Sequence, residues 1–154
     1  MPRYDESDAF QIEGEEDLVL FEDIQAVQRD FEGAAYTVTV YRPRVDHHYE
    51  RIEQWSGRTP GDTHWRVTCR NNITSLYGIA ATSRISDPED EGRIFRWLLA
   101  ERFDAKGNRT VYEYDSEQPS CFAAVSETDR LTNANKYIRR ICYGNVIPYL
   151  AEAK

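Results

Sequence analysis

Three histidines, His47, His48 and His64, are the side chains of this chain best suited to bind a metal ion. Imidazole nitrogens are common zinc ligands, and zinc sites recruit them at short, regular spacings. His47 and His48 are adjacent, so in an extended strand they point to opposite faces and do not converge on one ion. No His-x-His or His-Glu-x-x-His spacing occurs. The pattern therefore favours histidines at an edge or surface over a metal site.

Carboxylates offer a second kind of chemistry. The run Asp87–Gly92 could present clustered oxygens to Ca²⁺, but it lacks the alternating ligand spacing of a calcium loop, so a solvated turn is favoured. A glycosidase needs two acids at a fixed separation in a cleft. With 27 acidic residues in the chain, any pair could be proposed and composition selects none.

The three cysteines complete the search for reactive groups. Cys69, Cys121 and Cys142 are widely spaced and form no Cys-x-x-Cys pair, which disfavours a zinc ribbon or a disulfide framework. No nucleophile signature surrounds Cys121. We therefore predict free thiols of a reducing compartment, no catalytic residue, no cofactor and no metal ligand, and we interpret the chain as a non-enzyme.

Composition predicts what kind of fold carries these groups. A chain of 154 residues suits one domain, and ten Tyr, six Phe and three Trp against one Met favour sheet over helix bundle. The net charge of −8 disfavours nucleic acid or an anionic membrane as a partner. The N-terminal residues are acidic and show no apolar segment typical of a Sec signal peptide.

Alternating patterns predict strands in the first half of the chain. Tyr36, Val38 and Val40 alternate with threonines, which is typical of a half-buried strand ending near Pro43. Tyr49–Trp55 and His64–Arg70 are further strands, the latter with Trp65, Val67 and Cys69 on one face. Asn71 and Asn72 then predict a two-residue type I′ turn into a strand over residues 73–77, because Asn tolerates positive φ.

The stretch from Arg93 to Asp115 predicts a long hairpin. Residues 93–103 fit either a helix or a strand, and the turn that follows decides for strand, because short connections join antiparallel neighbours. In that turn Asp104 can bond the backbone, Gly107 can adopt positive φ, and Asn108 completes the loop. The five structural turn residues predicted are thus Asn71, Asn72, Asp104, Gly107 and Asn108.

The remaining segments complete the predicted organisation. Residues 1–17 form an acidic arm or a truncated edge, residues 18–150 the β domain, and residues 151–154 a tail. Ser116–Ala134 is a long polar loop. Lys136–Tyr143 is a last strand with Tyr137, Ile141 and Tyr143 facing one way, after which Gly144 and Asn145 turn the chain out.

Several blocks carry a family resemblance. The turn Asp-x-x-Gly-Asn and the following strand that ends in Tyr-x-Tyr-Asp resemble the hairpin unit of RHS/YD proteins. In order and spacing, the blocks resemble the SpvB virulence-plasmid protein family and the B components (TcB) of bacterial toxin complexes. These blocks are residues 41–55, 64–78, 84–99, 103–117 and 133–145. The resemblance covers roughly residues 17–150 and implies an all-β fold: an antiparallel sheet of long hairpins, RHS/YD-shell-like, that forms a partial domain.

The resemblance also implies a function. In toxin complexes, B and C components form a hollow β-rich shell around an unfolded toxic fragment, and in SpvB a separate C-terminal domain carries ADP-ribosyltransferase activity. The chain is therefore expected to contribute strands to such a shell, without catalysis of its own. Its expected partners are other segments of the same B component and an RHS-containing C component, and it would be made in the bacterial cytoplasm and secreted without an evident Sec signal. The alternative is a free-standing module that binds carbohydrate or protein.

Overall fold

The computed structural model describes residues 4, 8–12, 17–21, 25–45, 49–59, 61–116 and 135–150. Within these residues eleven strands form two antiparallel sheets, and the only helix is one short 3₁₀ turn at Ala81–Ser83. The strands are β1 (Leu18–Leu20), β2 (Val27–Phe31), β3 (Ala34–Pro43), β4 (Arg51–Ser56), β5 (Thr63–Thr68), β6 (Thr74–Tyr77), β7 (Arg84–Asp87), β8 (Asp90–Trp97), β9 (Leu99–Phe103), β10 (Arg109–Ser116) and β11 (Lys136–Cys142). No helix of the described residues is long and apolar enough to cross a bilayer. The predicted all-β, antiparallel class is confirmed.

The larger sheet runs in the order β1-β3-β4-β5-β6-β9-β10-β11, and β2 also pairs with β3. Most neighbours are consecutive hairpins, because short turns join antiparallel strands. The exceptions are β1 and β3, which pair although β2 lies between them in the chain, and the step from β6 to β9, where the chain leaves to form the separate pair β7–β8. β11 is the outermost described strand at one end of this sheet.

One face of the larger sheet, here called the apolar face, carries the core. Alternation places Ile52 opposite Val67 and Trp65 opposite Tyr77 on this face. The core cluster consists of buried Leu18, Ile52, Trp65 and Val67, with Phe10, Ile12, Tyr41, Tyr77 and Trp97 packed against it. Each fully buried side chain of this size contributes about 1.5–3 kcal/mol.

Phe10 belongs to the segment whose composition predicted only an acidic arm. Its ring lies 5.0 Å from that of Trp65 and 5.8 Å from that of Tyr41, and its carbonyl accepts the Leu18 N–H at 2.7 Å. The described part of the segment therefore contributes apolar rings to the core.

The prediction of strand over helix for residues 93–103 is confirmed, but the prediction of one continuous strand is wrong. β8 ends at Trp97 and pairs with β7, whereas β9 begins at Leu99 and pairs with β6 and β10. Leu98 lies at the break, where its N–H donates to Ser83 and its carbonyl accepts from Gly78. The Trp97 indole donates to the Thr63 carbonyl at 2.8 Å and so ties the small sheet to the large one.

Two further local predictions are wrong. A bulge between Glu113 and Tyr114 leaves Tyr137 opposite Asp115 and Ile141 opposite Tyr112, so these two side chains point to opposite faces. The predicted type I′ turn needs positive φ at both central residues, but only Asn72 has it (58°). The Asn72 N–H instead donates to Cys69 in a three-residue loop.

The predicted exit of the chain after Asn145 is also wrong. Gly144 turns with φ 76°, and the segment 145–149 returns to the β9–β10 turn. There the Asn145 side chain and the Tyr149 N–H both donate to the carbonyl of Gly107, each at 2.9 Å.

Candidate functional site

The second face of the larger sheet, here called the aromatic–ionic face, mixes rings with charged groups. One row across it runs from Val40 through Glu53, Arg66 and Leu76 to Glu101, each directly opposite the next. Glu53 and Glu101 are both buried. Burying a charge is unfavourable unless it is paired, so the partners of these groups decide what the face can do.

His64 lies at the centre of a cluster of rings on this face. Its imidazole stacks on Trp55 at 5.6 Å and contacts Tyr36 at 5.0 Å and Phe31 at 5.5 Å. It is 1% exposed, and its Nε2 has no hydrogen-bond partner among the described residues. Burial, helped by the nearby cations Arg66 and Arg84, lowers the pKa of His64 to about 3. The ring is therefore neutral at physiological pH.

Arg66 covers the same cluster of rings. Its guanidinium lies 4.2 Å from the centroid of the Trp55 ring and 5.3 Å from that of Phe31, a cation–π geometry. Burial lowers the pKa of Arg66; Glu53 acts against this shift, whereas Arg29 adds to it. Its Nε is buried without a hydrogen-bond partner among the described residues.

Most other charges of this region are paired. Glu53 accepts from Arg51 at 2.7 Å and from the Trp55 indole at 3.1 Å, so each of its oxygens accepts one hydrogen bond. Glu101 forms a two-point pair with Arg109. Arg140 likewise pairs with Glu113.

The β9–β10 turn is held by internal hydrogen bonds and contacts the C-terminal segment. Asp104 accepts from the backbone of Lys106 at 2.8 Å and of Asn108 at 3.0 Å, and these bonds lower the pKa of its carboxyl together with the Asn108 side chain, which contributes most. Gly107 has φ 86°. Tyr149 packs edge-on against Phe103 at 5.2 Å and under the Arg109 guanidinium at 4.4 Å.

The edge formed by β11 and the following segment, here called the apolar edge, is rich in exposed apolar side chains. Seven of the thirteen large apolar side chains exposed among the described residues lie there: Tyr137, Ile138, Ile141, Tyr143, Val146, Ile147 and Leu150. β11 pairs with β10 on one side, and no described strand pairs with its other side. An edge with unpaired backbone groups and apolar side chains is a template for another strand.

Among the described residues, the reactive groups considered from sequence do not come together into a site. His47, His48 and Cys121 lie outside the described residues. Among the residues that are described, no group of three or more His, Cys, Asp or Glu side chains is arranged to hold a metal. In the acidic turn, Asp87 and Asp90 accept from turn backbone and pair with Arg93.

The sequence predicts an edge or surface position for His64, but His64 and Arg66 are both central to the aromatic–ionic face. Alternation along β5 could have placed both on the face opposite Trp65. The position of Trp55 against them depends on strand register, which no local motif specifies.

Comparison with protein families identifies relatives. The SpvB family, described as Salmonella virulence plasmid 65kDa B protein, matches residues 1–154. The mono(ADP-ribosyl)transferases SpvB of Salmonella typhimurium (strain 14028s / SGSC 2262) and Salmonella dublin are each 33% identical over 115 residues. That match spans 74% of this chain but only 20% and 19% of those proteins.

Solved structures share the fold. The N-terminal domain of effector protein SpvB from Salmonella typhimurium strain LT2 matches with a TM-score of 0.84 and 30% identity, over 96% of this chain and 49% of that one. A TcdB2-TccC3 complex and the Photorhabdus luminescens Tc holotoxin pore each match with a TM-score of 0.84 and 30% identity, over 94% of this chain and 7% of those chains.

Proposed function

Because the chain belongs to the SpvB family, whose resemblance was evident from its sequence blocks, we propose that it is a structural segment of a toxin-complex B-type protein. In this role its strands form part of a shell that encloses a translocated toxic polypeptide. Its partners are other segments of the same B component and an RHS-containing C component. The likeness to structures of TcdB2-TccC3 complexes supports this proposal.

The observation that carries the proposal is the apolar edge. A long sheet whose outermost described strand, β11, pairs with a described strand on one side only and exposes Tyr137, Ile138 and Ile141 is suited to continue into further strands. A wall built of such strands separates an unfolded cargo from other chains, because it leaves the cargo no edge to pair with. The division into a β domain of residues 18–150 with short flanking segments is part of this proposal.

The role proposed is one without catalysis. The curated relatives are named as transferases, but this chain spans about a fifth of their length and matches a structure described as the N-terminal domain. An extracellular destination of the assembled protein, reached after synthesis in the bacterial cytoplasm, follows from the same proposal.

A chimera tests the proposal. The matching segment of TcdB2 is replaced by this chain, and the chimera is produced with TccC3. We expect a closed complex in which the enclosed C-terminal fragment resists added protease as it does in the unaltered complex. A complex that assembles but leaves the fragment open to digestion, or a well-folded chimera that does not bind TccC3, would contradict the proposal.

A matched pair of variants controls for folding. Tyr137→Lys in the chimera places a charge on the apolar edge, whereas Phe95→Lys places the same charge on β8, at a side chain of similar exposure (56% and 61%). If the apolar edge continues the wall, only Tyr137→Lys weakens protection of the cargo.

A further inference from the structure

Arg66 is a half-buried cation that forms no direct ion pair with a described residue. The nearest carboxylate across the sheet, Glu53, already accepts from Arg51 and from the Trp55 indole. No residue that the structure describes forms a hydrogen bond or an ion pair with the Arg66 guanidinium. The half-buried guanidinium is therefore stabilised by Glu53 only through longer-range attraction.

A second cation strengthens the local positive charge. Arg29 projects from β2 on the same face, since its cross-strand neighbour is Tyr36 and Tyr36 contacts His64. Arg29 is close enough to disfavour the charged form of Arg66, and no described residue pairs with Arg29 either. Two guanidinium groups therefore repel each other in a protein whose net charge is −8. An anion between them would remove that repulsion.

A further observation concerns two unsatisfied atoms in the same cluster of rings. His64 is buried, and its Nε2 has no partner among the described residues; Arg66 Nε, two residues further along β5, has none either. Leaving a buried polar atom unsatisfied costs about 1–3 kcal/mol, so this part of the face is less stable than a fully hydrogen-bonded one.

The walls of the site indicate what kind of anion fits. Arg66 lies against the faces of Trp55, which is buried, and Phe31, which is partly exposed, so Phe31 is the ring that a ligand at the guanidinium can also contact. A side chain with an apolar stem and a terminal carboxylate, as in Glu, matches rings along its length and a planar guanidinium at its end.

We propose that Arg66, with Arg29 beside it, is a docking site for a carboxylate side chain on an acidic polypeptide segment. The segment lies across the aromatic–ionic face with its acidic group against the Arg66 guanidinium and its stem against Phe31. This inference does not depend on the shell function, because it concerns a face of the sheet and not the apolar edge.

Binding of a labelled oligoglutamate peptide to the 154-residue chain tests the proposal, with oligoglutamine as the uncharged control and inorganic phosphate as competitor. Arg66→Gln should weaken peptide binding by about tenfold or more, the loss expected for one charge-assisted contact. The matched control is Arg102→Gln, which removes the same charge from β9 on the opposite face and should change binding by less than about twofold.

Thermal unfolding shows whether Arg66→Gln folds. If it does not, Arg29→Gln, at an exposed position on β2, is the second variant and should also weaken binding selectively. Equal losses in the Arg66 and Arg102 variants would show general electrostatic attraction and overturn the site. Absence of peptide binding, equal binding of oligoglutamine, or binding of phosphate alone would overturn it as well. The chimera is a separate measurement, so failure of one proposal leaves the other standing.

Discussion

At the scale of single residues, His64 links the stability of the fold to pH. Its pKa is about 3 in the folded chain and ordinarily 6.5, because burial and the cations Arg66 and Arg84 disfavour the imidazolium. Below pH 6.5 the unfolded chain therefore binds a proton that the folded chain does not. The free energy of unfolding therefore falls as the pH drops from about 6.5 toward 3, by up to about 1.4 kcal/mol per pH unit. Above about pH 6.5, His64 is neutral in both states and has no such effect.

We accordingly expect the free energy of unfolding to fall by about 2 kcal/mol between pH 7.5 and 5 on account of His64 alone. Urea titrations at several pH values measure it. His64→Gln removes the titration but leaves every carboxylate and the other histidines in place, so the pH slope should flatten by about one proton. An unchanged slope in this variant would show that His64 titrates normally.

The same residue scale shows what sequence could predict. Asp104 and Gly107 were assigned to their turn because most of what determines that turn lies within five residues of chain. Asp104 does accept from the backbone of Lys106 and Asn108, and Gly107 does have positive φ. His64 and Arg66 could not be assigned in this way. Their environment is made by Phe31 and Trp55, which reach them only through strand register.

At the scale of elements, the β9–β10 turn and the returning C-terminal segment form one unit. A Cβ added at Gly107 would lie 2.7 Å from Pro148 Cβ and 3.0 Å from the Tyr149 nitrogen. Gly33, in the β2–β3 turn, has a similar φ of 81° and nothing within 4 Å of such a Cβ. Substitutions at the two glycines therefore distinguish the cost of backbone strain from the cost of displacing the C-terminal segment.

We expect Gly33→Ala to lower the free energy of unfolding by about 1–2 kcal/mol through the left-handed backbone alone. Gly107→Ala should lower it by a further ~1–3 kcal/mol, because the segment 145–149 must shift. Urea unfolding measures both, and limited proteolysis of the C-terminal segment should be faster only in Gly107→Ala. Equal costs in the two variants would mean that the segment does not dock on the turn.

The break at Leu98 between β8 and β9 could not be predicted from the local sequence. The pattern from Arg93 to Phe103 is extended and apolar enough for one strand, and nothing local interrupts it. The interruption comes from distant partners: Ser83 and Gly78 bond Leu98, and Thr63 accepts the Trp97 indole. Strand type was therefore predictable from the turn that follows, whereas the division between two sheets was not, because it depends on tertiary contacts.

At the scale of the whole molecule, the core and the apolar edge are on different parts of one sheet. The core cluster uses Leu18, Ile52, Trp65 and Val67, and none of these lies on β11. A charge on the apolar edge should therefore affect association without affecting the fold. We expect the isolated chain to self-associate through this edge, since exposed apolar strands pair with one another.

Tyr137→Lys should weaken that association by about tenfold and leave the thermal midpoint within a few degrees of the unaltered chain, because Tyr137 is mostly exposed. Sedimentation velocity over a range of concentrations measures the association. Phe95→Lys adds the same charge on β8 and should leave it unchanged. If both variants weaken association alike, net charge and not the apolar edge controls it; if neither does, the edge is closed to other strands and the proposed continuation of the wall through β11 fails.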